Sequence, residues 1–263
     1  MPPEVNFTIG DLEFQEKFRE SQKDFIQGFP VLTTTIKVAF DRSPENITLV
    51  DGLIYDLSRE AVNRFSEIGL LCANGVGNGA SIILRSMFEY LVTARYLHIY
   101  PEKAEDFINY IFVQMRIVRE QTQKIYQKDF VTAEYREMVE ENFQRVKEKV
   151  TYQTKDGKVK TKPNWSNMNI VDMAIKSGLS QFIILAYYSP IEKSHPSALF
   201  VLNRKNQEEE MVSQTLMISH RMMIELLILQ HEHFGINELK PLIGQCLQDF
   251  DKIWERYKTT DST

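Results

Sequence analysis

The chain of 263 residues is poor in cysteine, with only Cys72 and Cys246. Two cysteines exclude a disulfide framework and a cysteine-rich zinc module. We expect both thiols to be free, buried and unreactive. The chain also lacks an excess of positive charge, since its net charge is −5 and its pI is near 5.7. Binding of a polyanion through bulk charge is therefore excluded.

Long hydrophobic runs are also missing. The longest nearly uncharged stretch, residues 68–84, is interrupted by glycines and asparagines, and the apolar run 179–188 is only ten residues long. Neither stretch meets the length and composition of a membrane span. The N-terminal residues lack the basic and apolar regions of a signal peptide. We expect a cytoplasmic protein that has no membrane partner.

The remaining composition is that of an ordinary globular protein, with 43% hydrophobic and 25% charged residues. Apolar residues recur with helical periodicity along most of the chain, which predicts an all-α fold. No linker is visible, so we expect one multi-helix domain over residues 1–263, with a boundary near residues 150–162 as the alternative. Helices are predicted over residues 11–29, 43–73, 80–100, 101–128, 132–150, 170–177, 179–188, 189–202, 207–234 and 237–258, the last two forming a C-terminal pair (207–258).

Local signals set several of these boundaries. Ser43-Pro44-Glu45 is typical of a helix start, and Thr132 is typical of an N-cap. The glycine-rich stretch 75–79 is expected to end one helix before the next begins. Residues 30–41 are ambiguous because many of them are β-branched. We favour a helix there, since no partner strand lies nearby.

One β-hairpin is predicted within residues 150–162, where Lys155-Asp156-Gly157 separates two alternating runs. Seven basic and two acidic residues between Arg145 and Lys162 give this region a charge of +5. The hairpin would contact RNA phosphates, with Trp165 stacking on a base. The alternative is a solvated loop whose lysines protect strand edges. The candidate nucleic-acid contacts are Lys155, Lys158, Lys160, Lys162 and Trp165.

The helix after the glycines carries only two charges between Ser81 and Ala94, and these are Arg85 and Glu89. A spacing of four residues places both on one face. Apolar residues occupy the other faces, so the helix is expected to be buried all round. A buried charge has to be paired or used, because its desolvation is costly. The pair is therefore either a structural salt bridge or part of a functional site.

A second polar segment runs from Tyr187 to Ser197. Ser189 with Glu192 fits a capping box, and His195 stands at or just before a second helix start. A helix N-terminus favours the neutral imidazole, which could act as a general base near pH 7. The alternative is a histidine that only caps a turn.

These segments together resemble a large uncharacterised prokaryotic family of helical proteins. That family has an L-R-S-x-x-E helix and a downstream Y-x-x-x-S-x-x-x-H-P-S stretch. The resemblance covers about residues 43–202. The matching residues here are Leu84 to Glu89, Arg95, Tyr96, Trp165, Tyr187 to Ser189, and Ser194 to Ser197. We take Arg95, Tyr96, Tyr188, Ser189, Ser194 and Ser197 as candidate ligand-binding residues.

The family is similar in organisation to the HEPN ribonucleases of toxin–antitoxin and phage-defence systems. By that analogy His195 would be the base for a ribose 2′-hydroxyl, Arg85 would stabilise charge on the phosphate, and Glu89 would orient one of them. This mechanism needs no metal and no cofactor. The chain departs from HEPN enzymes because their R-x4-6-H motif is missing, and Arg85 and His195 are 110 residues apart.

The alternative function is a non-enzymatic interaction module with a structural Arg–Glu–His cluster. Four methionines on the late helices would then form the core or a homodimer interface. These are Met211, Met217, Met222 and Met223. An open cleft that joins Arg85 and His195 would favour the ligand site, and a sealed cluster would favour the module.

Overall fold

The computed structural model describes residues 12–41, 47–128, 131–194 and 208–258. Within these ranges the regular secondary structure is helical apart from one small hairpin, which confirms the all-α prediction. The α-helices are α1 (Leu12–Ser21), α2 (Lys23–Phe40), α3 (Leu49–Ala73), α4 (Gly77–Ile99), α5 (Ala104–Tyr126), α6 (Ala133–Val150), α7 (Ile170–Lys176), α8 (Ser189–Ser194), α9 (Glu208–Phe234) and α10 (Leu239–Lys258). Short 3-10 turns span Pro101–Lys103 and Ser180–Phe182, and a π-helical segment, Ile183–Tyr188, leads directly into α8.

The ambiguous residues 30–41 are helical, as favoured, and α2 continues through Pro30. Threonines stay in this helix because their hydroxyl groups donate to backbone carbonyls one turn earlier. Thr34 Oγ1 donates to the carbonyl of Pro30 at 2.8 Å, and Thr35 Oγ1 donates to that of Val31 at 2.8 Å. These bonds replace the extended conformation that a β-branched run favours.

Helix α3 begins later than the Ser43 signal predicted, at a capping box formed by Thr48 and Asp51. The Thr48 side chain accepts from the Asp51 backbone N–H, and the Asp51 carboxylate accepts from the Thr48 N–H at 2.8 Å. The helix ends at Ala73 as predicted. Gly75 follows with a φ of +77°, a value that favours glycine.

The chain divides into two compact units, one formed from residues 1–98 and 174–263 and the other from Ile99–Met173. In the first unit, α9 packs against α2, α3 and α10, and α10 also packs against α2. Met222 and Met223 of α9 are fully buried, and so are Met87 and Phe88 of α4. The methionine-rich stretch of α9 therefore contributes to the core.

Helix α9 is long and apolar enough to cross a membrane, judged by length and composition alone. However, 72% of its apolar window is buried inside the protein. This burial is typical of the core helix of a soluble protein.

The second unit is built on α5 and α6. Its core contains five buried side chains with Trp165 packed against them. The five are Tyr110, Val113, Phe143, Val146 and Val150. The predicted hairpin is present as β1 (Thr151–Gln153) and β2 (Val159–Thr161), antiparallel with Tyr152 opposite Lys160. Gly157 takes a φ of +78° in its turn, as the Asp-Gly signal requires.

Candidate functional site

Arg85 and Glu89 form the predicted pair on α4. The Arg85 Nε donates to Glu89 Oε1 at 3.0 Å, and the two side chains are 30% and 44% exposed. The expectation that α4 is buried all round is therefore wrong on this face. An ion pair this exposed contributes less than about 1 kcal/mol to stability. Stabilisation of the helix alone therefore does little to explain why this ion pair is present.

Tyr187, from the π-helical segment, lies against the Arg85 guanidinium. The distance from Arg85 Cζ to the centre of the Tyr187 ring is 4.5 Å, a cation–π contact. The same ring lies 6.0 Å from that of Phe88 and 5.3 Å from that of Tyr188. The structure thus joins the two polar segments that the sequence separates by about a hundred residues. π-Helical turns of this kind are frequent at functional sites.

The terminal amino groups of Arg85 make no hydrogen bond with any residue in the described part of the chain. The ion pair between Arg116 and Glu120 differs from the Arg85–Glu89 pair in the number of nearby carboxylates. Arg116 Nε donates to Glu120 at 2.8 Å and lies over Phe143, but a second carboxylate, Glu140, lies 3.9 Å away. Arg85 has one carboxylate and keeps N–H donors for an external acceptor.

Arg95 and Tyr96 do not join Arg85. Arg95 forms an ion pair with Glu232 of α9, and its side chain is 23% exposed. Tyr96 is only 3% exposed and lies in the core. Neither side chain reaches the Arg85–Tyr187 contact, since both stand about 15 Å farther along α4.

The downstream candidates are only partly described. Tyr188 is 48% exposed beside Tyr187. Ser189 has a helical backbone, with φ −56° and ψ −41°, so the predicted capping box is wrong at this position. The chain stays helical from the π-helical segment into α8, which leaves no N-cap there. Ser194 ends α8, its side chain is not described, and His195 and Ser197 lie outside the described residues.

The hairpin lysines lie in the second unit. Lys155, Lys158 and Lys160 are exposed, and Lys158 Nζ lies 3.3 Å from the carboxylate of Asp156. The backbone carbonyl of Lys162 accepts a hydrogen bond from the Tyr110 hydroxyl at 2.9 Å. The Trp165 ring lies edge-on to Phe107, with ring centres 5.1 Å apart, so Trp165 takes part in the core of this unit.

A second polar cluster joins the ends of three helices. His233 Nε2 lies 2.9 Å from Asp51 Oδ1, and His233 Nδ1 lies 3.0 Å from His98 Nδ1. A carboxylate only accepts, so Nε2 of His233 donates to Asp51. The bond between the two Nδ1 atoms needs a proton on one of them, and the tautomers of the two rings decide which histidine donates.

The surroundings of this cluster lower the pKa values of two of its members, His98 and Asp51. Burial lowers the pKa of His98, and the neighbouring His233 and Arg95 lower it further, while Glu232 opposes them. The pKa of Asp51 is lowered despite its partial burial, because Thr48 and His233 donate hydrogen bonds to its carboxylate. These surroundings favour the neutral form of His98 and the ionised form of Asp51.

Residues 51–212 match the model of a family described as a family of unknown function, DUF5677. The chain belongs to the DUF5677 family. The matched region covers more than half of the chain and contains Arg85, Glu89 and Tyr187. This confirms the expected membership of an uncharacterised family, whereas the similarity to HEPN ribonucleases stays a prediction. No curated protein and no solved structure matches the chain.

The histidine cluster of this DUF5677 chain was not predicted from its sequence. In the sequence, His233 belongs to a His-Glu-His stretch. Neither Asp51 nor His98 is linked to it by any local spacing. A T-x-x-D capping signal at Thr48 was the one available clue to the position of Asp51. In the described ranges no group of three or more histidine, cysteine or acidic side chains is arranged to hold a metal ion.

Proposed function

We propose that this DUF5677 protein binds RNA, with a backbone phosphate held by Arg85. The observation that carries the proposal is the pair of unused terminal amino groups on a guanidinium that Glu89 and Tyr187 hold in place. A guanidinium fixed in this way presents a fork of donors that matches two phosphate oxygens. Tyr188, half exposed beside Tyr187, offers a ring for a base to stack on.

The same site would support cleavage of the bound RNA without a metal. His195 follows the last residue of α8 in the sequence, and it would remove the proton of the ribose 2′-hydroxyl. The resulting alkoxide attacks the adjacent phosphorus and breaks its bond to the 5′-oxygen, which takes up a proton from water. The products are a 2′,3′-cyclic phosphate and a 5′-hydroxyl. Arg85 would stabilise the charge on the phosphoryl oxygens, and Glu89 positions Arg85. A setting in prokaryotic defence follows only from the resemblance to HEPN enzymes.

Binding is tested first, by fluorescence anisotropy with a short labelled single-stranded RNA at low salt. Arg85→Gln removes charge-assisted hydrogen bonds and should weaken binding by at least about tenfold. Arg85→Lys should recover only part of the affinity, because an ammonium group lacks the fork of donors.

The matched control is Arg64→Gln. Arg64 is 28% exposed, lies in the same unit and pairs with Glu60 and Glu67 on one helix. An equal loss of affinity in both variants, or none in Arg85→Gln, would contradict binding at Arg85. The four hairpin lysines are also changed to glutamine. If the salt dependence of the RNA affinity falls, the hairpin contributes phosphate contacts.

Cleavage is tested separately, in the presence of a chelator and with product analysis. His195→Ala should bind RNA with unchanged affinity and form no cyclic phosphate. If the wild-type protein binds RNA through Arg85 and leaves it intact, the cleavage step is refuted and the binding function remains.

A second candidate function, that of a non-enzymatic interaction module, is favoured by a different observation. The second unit carries an exposed apolar face on α5, which offers a surface to a partner. This surface does not involve Arg85.

A further inference from the structure

Helix α5 exposes a row of mostly apolar side chains on a face away from the buried residues that it packs against α6. The row alternates steps of three and four residues along the helix. It consists of Ile108, Ile111, Met115, Val118, Thr122 and Ile125. Ile111 is 48% exposed, Val118 is 64% exposed and Ile125 is 69% exposed. We call these six residues the α5 seam.

The core of the second unit does not account for this seam. Tyr110 and Val113 face α6 and are buried, and Arg116 lies over the Phe143 ring. The seam lies on another side of the same helix, where Tyr135 from the first turn of α6 borders it. A three–four repeat over this length is the pattern of a two-helix coiled-coil interface. A row of exposed β-branched side chains is otherwise rare on the surface of a soluble protein.

Arg119 adds a second observation at the seam. Its Nε and Nη1 atoms are out of contact with solvent and have no hydrogen-bond partner in the described part of the chain. Arg119 borders a cavity of about 290 Å³, whose walls include Ile111, Met115, Val118 and Tyr135. These two donors therefore have no acceptor among the described residues. A partner that covers the cavity could supply one.

We propose that the α5 seam is the dimer interface of this protein and that its occupant is the α5 seam of a second copy. The polar residues beside the seam favour self-association. Gln114 and Gln121 are uncharged, and amides both donate and accept, so two identical faces meet without a row of like charges. A glutamine carbonyl of the second copy supplies an acceptor of the kind that Arg119 lacks.

The size of the seam sets the expected strength of the dimer. A helix of this length offers a strip about 35 Å long and about 10 Å wide. The exposed start of α6, with Tyr135 and Met138 each 37% exposed, extends it. The strip alone covers about 350 Å², less than the roughly 600 Å² per partner at the lower end of specific interfaces, so the α6 residues have to contribute. We therefore expect a weak, reversible dimer with a dissociation constant in the upper micromolar range.

Sedimentation velocity of the full chain over a range of micromolar concentrations tests the proposal. The wild type should change from monomer to dimer as concentration rises. Val118→Glu, which places a charge in the seam, should raise the dissociation constant at least about a hundredfold. The control is Leu70→Glu, since Leu70 on α3 is 67% exposed and lies outside the seam. That variant should dimerise like the wild type.

A variant expected to dimerise more tightly provides a second test, because misfolding would not produce tighter dimerisation. Thr122→Ile completes the apolar seam and should lower the dissociation constant about tenfold. A wild type that stays monomeric, or a dimer that neither Val118→Glu nor Thr122→Ile alters, would overturn the proposal. These outcomes are independent of RNA binding, because no seam residue belongs to the Arg85 site.

Discussion

His220 should make the stability of the protein fall as the solution becomes acidic. This side chain is 3% exposed in the middle of α9. The Trp254 Nε1–H group donates to His220 Nδ1 at 3.2 Å, and the rings of Phe25 and Phe250 lie edge-on to the imidazole. A proton on Nδ1 would break the bond from Trp254 and leave a cation among aromatic rings. The folded protein therefore requires neutral His220.

The magnitude follows from the two protonation equilibria. Burial, together with the nearby Arg221, lowers the pKa of His220 from its ordinary value of 6.5 to about 4. The unfolded chain binds this proton first, so the stabilisation is complete above pH 6.5 and is lost as the pH falls toward 4. Between pH 7.5 and pH 5, His220 alone should reduce the free energy of unfolding by about 2 kcal/mol.

Urea unfolding at these two pH values, followed by tryptophan fluorescence and circular dichroism, measures the loss. The comparison is with His220→Gln, whose side-chain carbonyl accepts from Trp254 and does not titrate. This variant should be less stable at pH 7.5, yet lose about 2 kcal/mol less on acidification than the wild type. All other titrating groups cancel in the difference. Equal losses in the two proteins would refute the assignment.

Two further substitutions test the cap of α3 and the core. Thr48→Ala removes one half of the capping box with Asp51 and should lower the free energy of unfolding by about 1 kcal/mol, measured by urea unfolding. Met222→Ala should lower it by about 2–5 kcal/mol, because Met222 is fully buried. That loss should not depend on protein concentration. A concentration-dependent loss would instead place Met222 at a subunit interface.

The sequence was most informative where one residue type forces one backbone geometry. The Asp-Gly turn of the hairpin and the Thr132 cap of α6 were both predicted from short-range chemistry and are present. The start of α3 was predicted too early, because Ser43-Pro44 competed with the better capping box at Thr48. Pro30 lies inside α2 although proline usually ends a helix, and packing against α9 and α10 outweighs this local preference.

The candidate site shows the same division between local and long-range information. Helical spacing alone predicted that Arg85 and Glu89 would pair. The contact between Arg85 and Tyr187 depends on the path of the chain between them, and no periodicity encodes that path. The exposure of the pair was also hidden, because the neighbouring residues of α4 are apolar. A run of apolar residues predicts that a helix is buried, but it does not show where along the helix the burial ends.

The two polar clusters of α4 differ in what they leave unsatisfied. They are centred on Arg85 and His98, roughly 20 Å apart along the helix. The Asp51–His233–His98 chain connects the start of α3 with the ends of α4 and α9, and both nitrogens of His233 are paired. This cluster ties helix ends together and needs no ligand for that purpose. Arg85 is contacted by Glu89 and Tyr187, yet its terminal amino groups have no partner in the described residues. Because an unused donor on a fixed side chain is what an anionic ligand requires, the search for a ligand should begin at Arg85.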